Sequence, residues 1–220
     1  GLFSLFSIVG MSVTAFLMIF YPAISRHIKR KKLMTILACI SMVGYALMLI
    51  AGLALPSTML KFWIITAGYA LSNFGQYGYY LIMMISIINT VEYNEYRTGS
   101  RDEAIITSLR PFLTKMSSAL IVLVTNLSYI IFGVTQYTNR ISDFENECAR
   151  KLISEQEKIM AIDNVISGIE PGKTLALLLC MVIIPCALML LSYFLYKKHY
   201  RLDEDEYERI CGEIAARKGE

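Results

Sequence analysis

"NTVEYNEYRTGSRDEAIITSLRPFLTKMSSAL", residues 89–120, begins and ends in apolar sequence and carries most of its charge in the middle. Glu92, Glu95, Arg97, Arg101, Asp102 and Glu103 lie within a few residues of one another. The flanks, 62–91 and about 111–136, are nearly uncharged, with Lys115 the one interruption of the second. Three more runs of this kind occur at 1–24, 33–60 and 173–196. Each is long enough to cross a hydrocarbon core of about 30 Å as a helix. A soluble core helix shows a polar face every turn, and these runs do not. The composition agrees: 55% of residues are hydrophobic and 18% charged, against roughly 25% charged in ordinary soluble domains. The chain reads as an all-α integral membrane protein with about five transmembrane helices.

The charges outside these runs orient them. The basic block 26–32, "RHIKRKK", directly follows the first run. Short cytoplasmic loops collect Lys and Arg, so Arg26, Lys29 and Arg30 are expected on a cytoplasmic basic loop. The resulting order is a transmembrane block over 1–136 with cytoplasmic loops at 25–32 and 92–103. An extracytoplasmic segment with a short helix follows over 137–172, then a last transmembrane helix over 173–197 and a cytoplasmic tail over 198–220. The block reads as a juxtamembrane anchor against the bilayer, and no nucleic-acid partner is expected. Its charges follow the first apolar run instead of preceding it, and the chain begins with Gly. That excludes a signal-peptide reading and points to an internal fragment. The five cysteines show neither metal nor disulfide spacing. With no phosphate loop, metal-spaced histidines or nucleophile motif, neither enzyme chemistry nor a bound metal or cofactor is expected.

Individual residues suggest where a site lies. With a helix starting near Ala104, Lys115 lies about 16 Å in, near the bilayer middle. An ammonium there costs at least ~2.5 kcal/mol on insertion scales, and by default it marks a transport path. The alternative is a structural partner for a carboxylate elsewhere. Lys115 heads a stripe of Ser108, Ser118, Val122 and Thr125, with Asn126 alongside. Arg110 is shallow enough to snorkel, and Pro111 is expected near the helix start. On the preceding helix, Asn73, Gln76, Tyr77 and Tyr80 share roughly one face, which suits a sugar ring. Interfacial anchoring by the tyrosines is the alternative. Gly68, Gly75 and Gly78 allow close helix approach. Lys115, Tyr80, Tyr77 and Asn126 are therefore the substrate-binding candidates. In 137–172 the apolar positions 144, 148, 152, 159 and 162 allow one helix. The tail offers an amphipathic helix with Leu202, Tyr207, Ile210 and Ile214, expected against the cytoplasmic helix ends.

Residues 89–120 also resemble the helix ten–loop–helix eleven signature of the glycoside–pentoside–hexuronide:cation symporters, the melibiose-carrier group of the major facilitator superfamily. The matching positions are Tyr93, Glu95, Thr98, Gly99, Arg101, Glu103, Ser108 and Lys115. Asn89 stands at the usual Asp, which removes a charge, and Asn94 at the usual Gly, where Asn tolerates left-handed backbone better than most residues. "PAISRHIKRKKL" is similar to the family's loop between helices eight and nine, with Ile28 where Gly is usual, and "YRLDEDEYERICGEI" to its C-terminal tail. The resemblance implies the C-terminal bundle of a major facilitator fold, helices eight to twelve. Helix seven and the N-terminal half would lie outside the chain. It further implies cation-coupled sugar symport by alternating access, with a small glycoside, pentoside or hexuronide bound between the halves. The coupling Na+ or H+ would sit in the N-terminal half, the chain's expected partner. Glu92, Tyr93, Glu95, Arg97, Arg101 and Glu103 would form a cytoplasmic gate, in a multi-pass protein of the plasma (or inner) membrane. Two alternatives stay open: a small helical membrane scaffold or partner subunit without transport, and a facilitator for a non-sugar substrate.

Overall fold

The computed structural model describes residues 2–25, 27–56 and 58–219. Every regular element among them is helical: α1 (Leu2–Ser25), α2 (Arg30–Ala54), α3 (Met59–Thr98), α4 (Glu103–Ile131), α5 (Thr135–Ala149), α6 (Glu155–Ser167), α7 (Pro171–His199) and α8 (Glu204–Lys218). The five apolar runs map onto α1, α2, α3, α4 and α7. By length and composition, α1, α2, α4 and α7 can each cross a membrane. α3 has 40 residues, about 60 Å at 1.5 Å per residue and roughly twice a hydrocarbon core. Its middle is less apolar because Ser72, Asn73 and Gln76 interrupt it.

The expected loop 92–103 is mostly the end of this helix. α3 runs to Thr98, and Gly99 stops it at φ +76° with its N–H on Glu95 O. Glycine takes that left-handed backbone at no steric cost. The charges therefore ride on a helix terminus and a short connection.

Contacts divide the described chain into two units, one up to Met116 and from Ile184 onward, the other Ser117–Ile183. In the first, α3 packs chiefly along α2 and also against α1 and α8. A Cβ on Gly44 would stand 2.5 Å from Ser72 N, and one on Gly75 would stand 2.5 Å from Leu37 O. Only glycine permits such approaches, so the two backbones touch. Polar side chains in this interface find partners, as a water-free medium demands. Gln76 Nε2 donates to Tyr45 Oη at 2.7 Å and Ser41 Oγ to Ser72 O at 3.2 Å. A core including Tyr21, Leu37, Tyr79, Ile82, Met189 and Tyr196 joins α1, α2, α3 and α7. Hydrogen bonds Tyr79–Ser192 and Ser86–Tyr196, each 2.9 Å, close it.

In the second unit, 137–172 forms two helical segments where one helix was expected. The chain breaks after Ala149, and Lys151 takes φ +60°. Ser154 then opens α6 with a reciprocal capping box with Glu157. That cap satisfies two orphan N–H groups and overrides the apolar spacing, leaving Leu152 70% exposed. Across this unit's longer helices, Ser128 Oγ meets Cys180 Sγ at 3.3 Å.

Candidate functional site

Between α3 and α4, within the first unit, lies an open cleft of about 550 Å³. Tyr80, Ile87 and Ile88 line it from α3; Thr107, Arg110, Pro111, Thr114 and Lys115 line it from α4. The α4 set follows the i, i+3, i+4, i+7, i+8 spacing of one helix face. Lys115 thus sits well inside a membrane-length helix and on a cleft wall. Arg110, read from sequence as a snorkelling side chain, lines the same wall. Neither has an ion pair among the described residues. Pro111 does not sit at the helix start: α4 begins at Glu103, so the proline lies inside it. Proline has no N–H, and Thr107 O loses its helical donor.

The other substrate-binding candidates separate. Tyr80 is 38% exposed and on the cleft, whereas Tyr77 is 42% exposed and is not among its lining residues. Asn73 is buried and Gln76 is committed to Tyr45, so the amides serve helix packing. Asn126 is exposed, and its amide donates to Val122 O at 2.9 Å. It does not line the cleft.

Arg101 gathers three carboxylates: Glu103 at 3.0 Å from Nε, Glu95 at 3.3 Å from Nη1 and Glu92 at 3.5 Å from Nη2. The hydrogen bond and charge of Glu103, then the fields of Glu92 and Glu95, push this guanidinium above its ordinary value. Among the described residues, three acids thus share this one guanidinium. Asn94 Nδ2 donates to Ser100 O and Asp102 Oδ2, both at 3.1 Å, and so pins the connection. Asn94 is helical, and the left-handed residue is Gly99, so the tolerance argued for Asn94 is not what the fold uses. Arg97 is exposed and outside the cluster. Tyr93, 42% exposed, lines a different cleft with Thr90, His199 and Arg201.

Of the basic-loop residues, Arg26 lies outside the described residues. Lys29 and Arg30, with Lys31, meet three consecutive tail acids. The distances are 2.6 Å for Lys29–Asp205, 3.0 Å for Arg30–Glu204 and 3.1 Å for Lys31–Asp203. Arg30 N also donates to Glu204 Oε1 at 2.6 Å. With its amide oxygen turned toward α2, the orientation that satisfies both ends, Asn89 accepts from Arg30 Nη1 at 2.5 Å and Nη2 at 3.3 Å. A neutral acceptor suffices there because Glu204 already supplies the negative charge.

Asp203 caps α8, and the bond from Glu206 N, then that from Lys31, holds its carboxyl below the usual range. At Glu204 burial pushes the pKa up, but the hydrogen bonds, chiefly from Arg30, outweigh it and the net shift is downward. α8 continues over the end of α3. Arg217 Nη1 donates to Tyr96 O at 3.0 Å, and Arg209 and Arg217 lie 5.5 and 4.8 Å from the Tyr96 ring centre. Leu202 and Ile210 are buried beneath it. Tyr207 is pushed up to about 12, by burial first, then by its bond to Cys211 and the charge of Glu92. Much of the block expected to anchor on lipid is therefore matched by the chain's own tail. The sequence signal for this was present: "KRK" at 29–31 against "DED" at 203–205.

The family profile described as MFS/sugar transport protein matches residues 1–204. Over 212 residues, 96% of this chain, the sequence is 23% identical to the raffinose carrier protein of Pediococcus pentosaceus, covering 28% of that protein. It is 27% identical over 118 residues (53% of this chain, 17% of the relative) to the lactose permease of Lactobacillus delbrueckii subsp. bulgaricus. The lactose permease of Leuconostoc lactis is 28% identical over 99 residues, 45% of this chain and 14% of the permease. The chain thus spans 28% or less of the length of each of these curated relatives.

Proposed function

This chain belongs to the MFS/sugar transport protein family, and from that premise we propose that it forms the C-terminal bundle of a cation-coupled sugar carrier. It is a multi-pass membrane protein. The observation that carries the reading is the α3–α4 cleft, which sets Tyr80 and two threonines beside a lysine deep in a membrane-length helix. The Tyr80 ring offers an apolar face to sugar C–H groups. The threonine hydroxyls and the Lys115 ammonium supply orienting polar contacts. Sugar is the proposed substrate class because the relatives are named as carriers of raffinose and lactose.

In this reading two bundles rock about a central site. The Arg101 cluster, built from the end of α3 and the start of α4, forms this bundle's half of an inner latch. α8 touches both the start of α2 and the end of α3, which supports placing the basic block, 92–103 and the tail together on the cytoplasmic side of a plasma membrane. The coupling cation, Na+ or H+, binds in the part of the carrier outside this chain.

The test is uptake of labelled lactose and raffinose by the full-length carrier in vesicles, with and without Na+ and pH gradients. Gradient-driven uptake that falls at least tenfold in Lys115→Ala and Lys115→Met supports the proposal. Sugar affinity and turnover unchanged by both substitutions would remove Lys115 from the site, and no uptake of any sugar would overturn the transport reading.

A further inference from the structure

The cations around α8 fall into two groups. Lys29, Arg30 and Lys31 are spent on the tail acids, and Arg209 and Arg217 on Glu206 and Glu213. The basic run at the end of α7, Lys197, Lys198, His199 and Arg201, meets no carboxylate among the described residues. A helix C-terminus favours positive charge in its last turn, which accounts for the first three. It does not account for Arg201, exposed past the helix end. Arg201 and His199 instead line an open cleft of about 530 Å³, with Tyr93 on α3 and Asp203 and Glu206 at the start of α8. Both acids are already matched: Asp203 by Lys31 at 3.1 Å and by Glu206 N at 3.2 Å, and Glu206 by Arg209 at 2.5 Å. Arg201 is therefore the cleft's unmatched charge, and the Tyr93 hydroxyl is unbonded among the described residues. α7 has 29 residues, about 44 Å at 1.5 Å per residue, which reaches through the hydrocarbon core into the headgroup layers. The cleft lies directly past its end.

We propose that this cleft binds the headgroup of an anionic phospholipid whose phosphodiester carries a polyol, of the phosphoglycerol kind. Arg201 takes two phosphate oxygens with its planar fork. The Tyr93 hydroxyl and a His199 ring N–H donate to the same group. Asp203 and Glu206 keep lone pairs to spare once their cations are matched, and these accept from the headgroup hydroxyls. The same two carboxylates repel a headgroup that brings a carboxylate of its own. The site thus separates a glycerol headgroup from a serine headgroup of equal net charge. Lys197 and Lys198, exposed beside the cleft, add to the field that draws anionic lipid. The inference rests on the membrane reading and is independent of the solute carried. It also relocates the lipid anchor expected at 26–32: the tail matches much of that block, and the α7 run has no such match.

The experiment is photolabelling of the full-length carrier in non-ionic detergent. The probe is a phosphatidylglycerol with a diazirine on its headgroup, and labelled peptides are read by mass spectrometry. Label is expected at 198–206 and around Tyr93. Unlabelled phosphatidylglycerol should displace it at about one tenth the concentration needed of phosphatidylserine or phosphatidylcholine with the same acyl chains. Arg201→Gln should raise the phosphatidylglycerol concentration needed about tenfold, the loss of one charge-assisted hydrogen bond. Arg97→Gln, which removes an exposed cation outside the cleft, should raise it by less than about twofold. Equal displacement by the serine and glycerol lipids would reduce the effect to surface charge and overturn the proposal. Glycerol phosphate without acyl chains, displacing the probe at the lipid's own concentration, would assign the cleft to a soluble phosphate and overturn it too. So would the absence of label from both segments. These comparisons are made on the unmutated carrier, so they decide even where a variant does not fold. Uptake is not the readout, and a failure of the sugar reading leaves the test standing.

Discussion

Replacing Glu204 with alanine removes one oxygen that accepts two hydrogen bonds, from Arg30 N at 2.6 Å and from Arg30 Nε at 3.0 Å. A hydrogen bond to a charged group is worth about 1.5–3 kcal/mol. The Glu204 side chain is 30% exposed, so solvent screens part of this, and the pair together should contribute about 2 kcal/mol to holding α8 in place. Arg30, with its side chain 11% exposed, would keep its bond to Asn89. At about 1.4 kcal/mol per factor of ten, the opening equilibrium of α8 should rise roughly 30-fold. Cys211, partly buried on α8, reports that opening. When reclosing outpaces labelling, its maleimide rate follows the opening equilibrium. Mass spectrometry of the 211 peptide should show about a 30-fold acceleration.

Asp205→Ala is the control. Its partner Lys29 and Asp205 itself are 68% and 76% exposed, so that pair should shift the rate by less than about twofold. Equal acceleration in both variants, or none in Glu204→Ala, would refute the account of docking. Acid should act with a definite sign. Asp203 and Glu204 are held below the usual range, so their stabilisation is complete above an ordinary carboxylate pKa of about 4 and is lost as pH falls through the lowered native values. Hydrogen exchange across 204–218 should stay slow from neutrality down to about pH 4 and quicken below it. Quickening already near pH 6 would contradict this.

Other substitutions test the remaining parts. Gly75→Ala puts a Cβ 2.5 Å from Leu37 O and 2.7 Å from Ser41 N, backbone atoms that cannot swing aside; a loss of about 1–3 kcal/mol is expected. Its thermal midpoint in detergent should fall, and an unchanged midpoint would mean α2 and α3 do not touch there. Gly99→Ala forces a side chain into φ +76° and should cost about 1–2 kcal/mol, with Gly99→Asn milder in the same assay. Arg101→Gln removes three ion pairs and Glu95→Gln one of them, so Arg101→Gln and the double variant should slow uptake by the full-length carrier to a similar degree, and Glu95→Gln alone by less. Small and strictly additive effects would argue against a latch.

Much of the fold is legible in the chain because membrane helices announce themselves by length and uninterrupted apolarity. The same simplicity hides how they end. Nothing in "VEYNEYRTG" marks where α3 stops except Gly99, and the apparent loop proved to be helix to Thr98. In 137–172 the apolar spacing suggests one helix, and a local cap at Ser154 defeats it. Gln76 and Tyr80 look equivalent on a helical wheel, yet one bonds Tyr45 and the other lines the cleft. That difference lies in the neighbouring helix, which periodicity does not encode. The pairing of Arg30 with Glu204 joins residues 174 apart, and only matching charge triplets hinted at it. Depth alone placed Arg110 as shallow enough to snorkel, and that it also lines the cleft depends on α3, which depth does not encode.

What separates the structural polar groups from the candidate functional ones is whether the fold satisfies them. Along α2, α3 and the end of α7, polar side chains are paired within the bundle: Gln76 with Tyr45, Tyr79 with Ser192, Ser86 with Tyr196, and Thr35 with Tyr193. A polar group in hydrocarbon that is already bonded holds helices together and has little left to offer a ligand. Arg110 and Lys115 break this pattern on a membrane-length helix, and they do so on a cleft wall. Among the described residues neither has an ion pair, so their charge adds nothing to the bundle's stability there. Cations on a membrane-length helix persist where they face a path, a partner or the water interface, and an open cleft wall offers such a place.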